Sequence, residues 1–372
     1  MKKKNSGEKY RVGIIGCGRI ASLFEDDPLR EHPCTHAGVY NAVSETEIAA
    51  ASDFDAVKLR AFSKRWNVKS VYKNYKKMLD KESLEIVSVC TPTPTHSEVV
   101  VEAAKSGVSA IFCEKPIATS LKEADKMIEA CNKSGVKLII NYPRRWNPYY
   151  RHIKQLINSG EIGDTESITG HYTSGLLMMG THLLDIFRFL VGDVKWVFGS
   201  VEDINPADFV AVKPSENFST TDPCGTGFLC FKNRTSGFVD GSIRKKYFIF
   251  EIDIQGTSGR IRISDNGRSF ELWGIKESEN YGGYKELDLK PFLALPSAPA
   301  PASNGRWSSS VTCNVKAVEE IIECVEQNKE SVSSGAEGRA ALELALAFHE
   351  SSAVGAKVRL PLQNKNLRVV SK

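Results

Sequence analysis

Gly16, Gly18 and Ala21 punctuate the segment VGIIGCGRIA at positions 12–21, directly behind the apolar run Tyr10–Ile15. A first glycine permits a tight turn, a second lets the backbone approach a pyrophosphate, and a small third residue lets a helix pack against the strand it follows. Such a segment binds a diphosphate at a helix N-terminus, with Arg19 and Ile20 completing the loop over a dinucleotide. Asp53 closes the next apolar run, Ile48–Ala51, ahead of the helical stretch Asp55–Trp66. A carboxylate there accepts hydrogen bonds from the adenosine ribose and repels a 2'-phosphate, so NAD is the expected cofactor. Ser52 and Lys58 nearby keep NADP as the alternative, and Asp53 has a second reading as a helix N-cap. The gap between Gly18 and Asp53 exceeds the usual spacing of about twenty residues, which places an insertion around Phe24–His36.

Other chemistry-bearing residues stand at the ends of expected strands. Glu114, Lys115 and Pro116 follow one such end, where open α/β sheets bind ligands. An ammonium there can hydrogen-bond a hydroxyl or carbonyl oxygen and share its proton as hydride leaves the same carbon. A lysine pKa lowered toward about 7–8 by desolvation suits that role. His182 and Asp185 are spaced i, i+3, so one helical face presents both. Asp185 can orient the histidine, bind a substrate hydroxyl, or be a solvated helix carboxylate. Tyr142, Arg144, Arg145 and Trp146 open the second half of the chain: arginine forks suit carboxylate or phosphate groups and aromatics suit sugar faces. An arginine bridging two domains is the competing reading.

These residues need a scaffold. Short apolar runs at Tyr10–Ile15, Ile48–Ala51, Ile86–Cys90, Ser109–Cys113 and Lys137–Asn141 alternate with helical patterns, two of them with capping boxes, Thr95 with Glu98 and Ser120 with Glu123. Strand and helix in alternation predict a doubly wound parallel sheet, a Rossmann domain over residues 1–141. Beyond Tyr142, alternating runs at Ser167–Thr173, Gly227–Phe231, Ser236–Asp240, Tyr247–Gln255, Arg260–Ile263 and Phe270–Trp273 predict a mostly antiparallel open sheet. Residues 142–372 thus read as an α+β domain. Leu295–Asn304 reads as a loop or lid, and two helices follow, Val315–Gln327 and one capped by Ser334 and Glu337 that runs to Ser352.

Composition narrows the class. The chain of 372 residues carries 49 basic and 45 acidic side chains, a formal charge of +4, which gives no basic face for nucleic acid. The N-terminus lacks the apolar core of a signal peptide, and no run is long enough to span a membrane, so a soluble cytoplasmic protein is expected. Nine cysteines without a CxxC pair read as reduced and structural, and neither they nor the seven histidines show zinc-ligand spacing, so no metal is expected.

The motifs GCGRIA (16–21), CTPTPTH (90–96), GluLysPro (114–116), GTHLLD (180–185) and IQGTSGRIRI (254–263), with the tail SSGAEGRAALELALAFHESSAVGAKVRLPL, resemble the glucose-fructose oxidoreductase, inositol dehydrogenase and MocA (Gfo/Idh/MocA) family. The resemblance implies a Rossmann domain followed, over residues 142–372, by a substrate-binding and oligomerisation domain whose sheet packs against another subunit, giving a homodimer or homotetramer. It implies that Lys115 lies at nicotinamide and substrate, that Pro116 follows a cis bond, and that His182 is the acid/base partner of the lysine. It also implies that Thr91, Thr93 and His96 line the cofactor; His96 has an equal reading as a first-turn helix residue. Thr181, with Met178, falls in the substrate segment. Many members carry an aspartate four residues before that histidine, where this chain has Met178, which serves either as an apolar wall or as core filling. The implied activity is NAD-dependent hydride transfer at a secondary alcohol of a sugar, nucleotide sugar or cyclic polyol. Transient oxidation by a glycoside hydrolase or lyase, and a non-catalytic dinucleotide sensor or scaffold, are the alternatives.

Overall fold

The computed structural model describes residues 7–201, 222–242, 245–277, 282–291 and 311–368. The expected lid, Leu295–Asn304, lies outside them. In chain order, β1 (Tyr10–Ile15), α1 (His36–Ala42), β2 (Thr46–Ser52), α2 (Ala56–Trp66), β3 (Ser70–Tyr72), α3 (Tyr75–Lys81), β4 (Ile86–Val89), α4 (His96–Lys105), β5 (Ala110–Cys113), α5 (Leu121–Ser134) and β6 (Lys137–Ile140) come first. Next come α6 (Pro148–Asn158), β7 (Thr165–Thr173), α7 (Thr181–Val191), β8 (Val194–Val201), β9 (Gly225–Phe231), β10 (Ser236–Ser242), β11 (Phe250–Gly256), β12 (Gly259–Ser264), β13 (Ser269–Ile275) and β14 (Leu287–Lys290). The helices α8 (Val311–Gln327) and α9 (Gly335–Val354) and the short strand β15 (Val358–Arg359) end the order. The chain divides into two compact units, Met1–Trp146 with Ser310–Arg339, and Asn147–Ser309 with Ala340–Lys372.

In the first unit a parallel six-stranded sheet has the order β3-β2-β1-β4-β5-β6, so the winding direction reverses between β1 and β4. Strand β3 was not anticipated: three residues, Ser-Val-Tyr, are too short for a hydrophobic period to register. Val12, Ile14, Ile86, Phe112 and Trp146 form the buried core. Ala317, Val318, Ile321 and Val325 of α8 join it, an apolar helical stripe that returns the chain to this unit.

Two local expectations need correction. No α-helix follows the glycine turn: Ser22 N bonds Gly18 O at 3.0 Å, a 3-10 helix spans Leu23–Asp26, and α1 starts only at His36. Pro28 explains the break, because the residue before a proline is driven out of the helical region and Asp27 is extended. The Thr95 capping box is absent; Thr95 Oγ1 instead donates to the Pro92 carbonyl at 2.8 Å and lies 2.8 Å from the Thr91 hydroxyl, which can donate to it. Ser120 does cap α5, accepting from Glu123 N at 3.3 Å, while Glu123 Oε2 accepts from Thr119 N and Thr119 Oγ1.

The second unit is built on a nine-stranded sheet, β14-β13-β12-β11-β7-β10-β9-β8-β15. Its described pairings are antiparallel except β7 with β10. Ile168, Gly170 and Tyr172 of β7 point inward, and α7 lies so close that a Cβ on Gly170 would sit 2.7 Å from Leu183 Cδ1. Strand β8 was not anticipated because it exposes Phe198 on its outer side, which blurs the apolar–polar alternation that marks a half-buried strand. No helix among the described residues is long and apolar enough to cross a membrane.

Candidate functional site

The site in the first unit is built at the carboxyl ends of its strands, around the point where the strand order reverses, where open α/β sheets bind ligands. Gly16 adopts φ +92°, and a Cβ there would lie 2.8 Å from the Cys90 carbonyl, so the turn requires glycine. Gly18 is different: its missing Cβ would meet no atom within 4 Å, which leaves backbone open to a diphosphate. Arg19 stacks on the Phe24 ring at 4.6 Å, and Ile20 packs partly buried on the core.

Asp53 stands just beyond β2 and fastens this turn. Its Oδ2 accepts from Cys17 N at 2.7 Å and its Oδ1 from Asp55 N at 2.8 Å. The helix cap is Asp55, whose side chain accepts from Val57 N and Lys58 N. Asp53 therefore joins the glycine turn to the end of β2, where a ribose would meet it. Turn, open glycine backbone and carboxylate together fit a dinucleotide.

Past β4, Thr91 and Thr95 share a hydroxyl contact, and Thr93 lies in the same short turn. His96 is fully buried at the start of α4: Nε2 is 2.8 Å from the Thr91 carbonyl and Nδ1 is 3.1 Å from that of Pro116. Burial pushes its pKa down, against the raising effect of these carbonyls and of Glu114. The histidine so ties the β4 loop to the cis Lys115–Pro116 bond that the resemblance implies.

Glu114 faces inward beside Lys115. Its Oε1 accepts from His36 Nε2 at 2.9 Å and Asn141 Nδ2 at 2.7 Å, and His36 Nδ1 meets Ser88 Oγ at 2.7 Å. Burial alone would raise the carboxyl's pKa; the His36 and Asn141 hydrogen bonds and the His36 and Lys115 charges hold it below the ordinary value. Sequence reasoning placed Glu114 at the cofactor and missed His36, Ser88 and Asn141. Of the three, only Asn141 carries a signal, as a polar residue directly after an apolar strand; Ser88 lies inside β4 and His36 opens α1.

In the second unit, Leu176–Gly180 forms a π-helical turn leading into α7, a rare geometry that clusters at functional sites. Asp222 caps it, accepting from Leu177 N at 3.0 Å and Met178 N at 2.8 Å. Met178 Sδ meets Ser174 Oγ at 3.2 Å, and Thr181 Oγ1 donates to the Leu177 carbonyl at 2.8 Å. His182 keeps 8% of its surface, whereas Asp185 is fully buried, which rules out the reading as a solvated carboxylate. Asp222 supplies a carboxylate to this segment from a distant stretch of chain that motif spacing did not reveal.

The aromatic and arginine cluster has a structural use. Trp146 lies in the first unit's core, edge-on to Phe112 with centroids 6.2 Å apart, and Tyr142 is buried. Arg145 donates to the Val332 carbonyl at 2.7 Å and to Glu337 at 2.8 Å, within its own unit. Arg144 is half-buried on the same 3-10 turn, Pro143–Trp146.

This fold and this turn define a dinucleotide-binding α/β protein with a second unit carrying a large mixed sheet. Family models match residues 10–142 as the oxidoreductase family's NAD-binding Rossmann fold and residues 154–360 as its C-terminal alpha/beta domain. The chain belongs to the Gfo/Idh/MocA oxidoreductase family and is an NAD-dependent oxidoreductase. It is similar to D-apiose dehydrogenase of Paraburkholderia graminis, at 25% identity over 95% of this chain and 90% of that protein. It is also similar to myo-inositol 2-dehydrogenase of Thermotoga maritima, at 28% identity over 79% of this chain and 91% of the relative. Among solved structures, levoglucosan dehydrogenase in complex with NADH and L-sorbose superposes with a TM-score of 0.75 at 19% identity, covering 95% of this chain and 99% of that one.

Proposed function

We propose that this protein oxidises a secondary alcohol of a sugar or cyclic polyol, with Lys115 moving the hydroxyl proton. The carrying observation is the lysine's setting: it follows β5 at the ligand edge of the sheet, flanked by a cis proline and by a buried carboxylate held in place by His36 and Asn141. Bound NAD supplies the hydride acceptor. Asp53 favours NAD by presenting a carboxylate where a 2'-phosphate would be repelled. His182, on the helix entered through the π turn, is assigned the second acid/base role, and Met178 and Thr181 the substrate's surroundings. The curated relatives that act on apiose and inositol support the substrate class.

The outer face of the second unit's sheet supports a homo-oligomer. Phe198, Phe228 and Phe238 stand opposite one another on β8, β9 and β10 and are 45%, 49% and 37% exposed. An aromatic stripe of this kind marks an interaction surface. All nine cysteines are free thiols, which suits a cytoplasmic location.

The test is a panel of sugars, nucleotide sugars and cyclic polyols incubated with NAD and followed by NADH absorbance. NADH formation with one class confirms the reading. Aglycone release without NADH accumulation would replace it with hydrolysis or elimination through transient oxidation, and tight NADH binding with silence across the panel would leave a sensor.

A further inference from the structure

The insertion between the glycine turn and α1 brings together three side chains that no sequence spacing linked: Glu25, His32 and Cys34, with one donor atom from each lying within 4.8 Å of the others. We infer that they form a binding site for a thiophilic divalent cation of the zinc class. Cys34 Sγ and His32 Nδ1 are 3.6 Å apart. A tetrahedral zinc with Zn–S of about 2.3 Å and Zn–N of about 2.0–2.1 Å sets those atoms about 3.6 Å apart, so their separation already matches, while the thiol's hydrogen bond to the Phe24 carbonyl, at 3.2 Å, is given up on binding. Glu25 Oε2 lies 2.8 Å from the same Nδ1, a hydrogen bond now, and must withdraw by about half an ångström when the metal takes its place.

The carboxylate is already oriented for that. Its other oxygen, Oε1, accepts from Cys34 N, Thr35 N and Thr35 Oγ1 at 2.9, 2.9 and 2.8 Å, which turns Oε2 toward the imidazole. Outer hydrogen bonds of this kind fix the direction of metal ligands. Thiolate, imidazole and carboxylate together select zinc or cobalt over calcium or magnesium, which prefer oxygen alone. The His32 side chain is 39% exposed, so the site opens to solvent and a water completes the coordination. On binding, the Cys34 thiol gives its proton to solvent as the S–metal bond forms. The imidazole coordinates through the Nδ1 lone pair and carries its proton on Nε2. The ion then clips the end of the 3-10 helix to the start of α1, closing the insertion beside the dinucleotide turn.

Full-length protein, freed of metal by chelation and kept reduced, is titrated with Co²⁺ alone. The expected result is one bound equivalent with thiolate-to-cobalt charge-transfer absorption and the visible bands of a tetrahedral site, displaced by Zn²⁺. Cys34→Ser should remove the charge-transfer band. His32→Gln, at an exposed position where folding is not at stake, should weaken binding by at least about a hundredfold, more than the loss of an outer partner. Absence of the band, its persistence in Cys34→Ser, or unchanged affinity in His32→Gln would overturn the site.

Discussion

His36 Nε2 and Glu114 Oε1 lie 2.9 Å apart in the interior of the first unit, although 78 positions separate them in the chain. A carboxylate can only accept, so Nε2 carries the proton and the ring is fixed between Glu114 and Ser88. Glu114→Gln keeps the shape and removes the charge. Because a hydrogen bond to a charged group contributes about 1.5–3 kcal/mol and one to a neutral group about 0.5–1.5, the variant should lose the difference, about 1–1.5 kcal/mol, in urea unfolding. An unchanged midpoint would mean that the network holds nothing in place.

Gly16 and Gly18 should part company when each is changed to alanine. At Gly16 the added Cβ meets the Cys90 carbonyl in a positive-φ backbone, so the fold itself should lose about 1–3 kcal/mol. At Gly18 the methyl meets no protein atom, so stability should hold while NADH affinity falls. Thermal melts with and without NADH separate the two; equal stability losses would contradict the assignment of Gly18 to the ligand.

Much of this architecture is legible in the residues. Tyr10–Ile15 reads as a strand to the residue because Tyr10, Val12, Ile14 and Ile15 favour extended backbone and Gly16 bounds the run. The glycine turn and Asp53 were legible by residue type and by their place at strand ends despite the unusually long gap between them, and the structure joins them through Cys17 N. What escaped was long-range or overridden. No spacing rule pairs His36 with Glu114 or brings Asp222 to Met178 N, since only the fold makes them neighbours. Pro28 overrode the helix expected after Gly18. Residue type alone did not tell that Arg145 is spent on Val332 and Glu337.

Acid should weaken the fold in two stages. Burial lowers His96 below its ordinary 6.5, so between those values the unfolded chain binds more protons and stability drops as pH falls through the window. Glu114, also lowered, adds a second loss as pH falls below its ordinary 4.5 toward its folded value. Urea unfolding from about pH 7 to pH 5 should show a declining free energy, and His96→Asn should make that part of the profile shallower, with His349, also lowered by burial, supplying the slope that remains. A wild-type profile flat over this range would contradict the burial of a neutral imidazole.

Asp53 should set cofactor choice and also support the turn that uses it. Wild-type protein should bind NAD(H) more tightly than NADP(H), and Asp53→Ala should narrow the gap by removing the repulsion of a 2'-phosphate. The same change frees Cys17 N and Asp55 N, so affinity for both cofactors should fall. Titration of wild type showing equal or stronger NADPH binding would overturn the assignment.

Lys115 and His182 should separate proton transfer from binding. If Lys115 moves the hydroxyl proton, Lys115→Ala retains NADH affinity and folding but loses about a hundred- to ten-thousand-fold in kcat, the usual share of general acid–base assistance. His182 retains a little exposed surface on α7, while Asp185, one turn on, is fully buried. His182→Asn should therefore lower kcat far more than it weakens NADH binding, and the limb of the rate profile near neutral pH should shift or vanish, since an imidazole titrates there. Met178→Asp tests the same histidine from the other side. It places a carboxylate one turn before His182, where it favours the imidazolium, so full oxidation activity should require higher pH. The Asp222 carboxylate already bound to Met178 N makes this a second negative charge at the turn, and circular dichroism must show that the fold survives it. Unchanged pH profiles in both His182→Asn and a folded Met178→Asp would make the histidine structural and leave Lys115 or water to carry the proton.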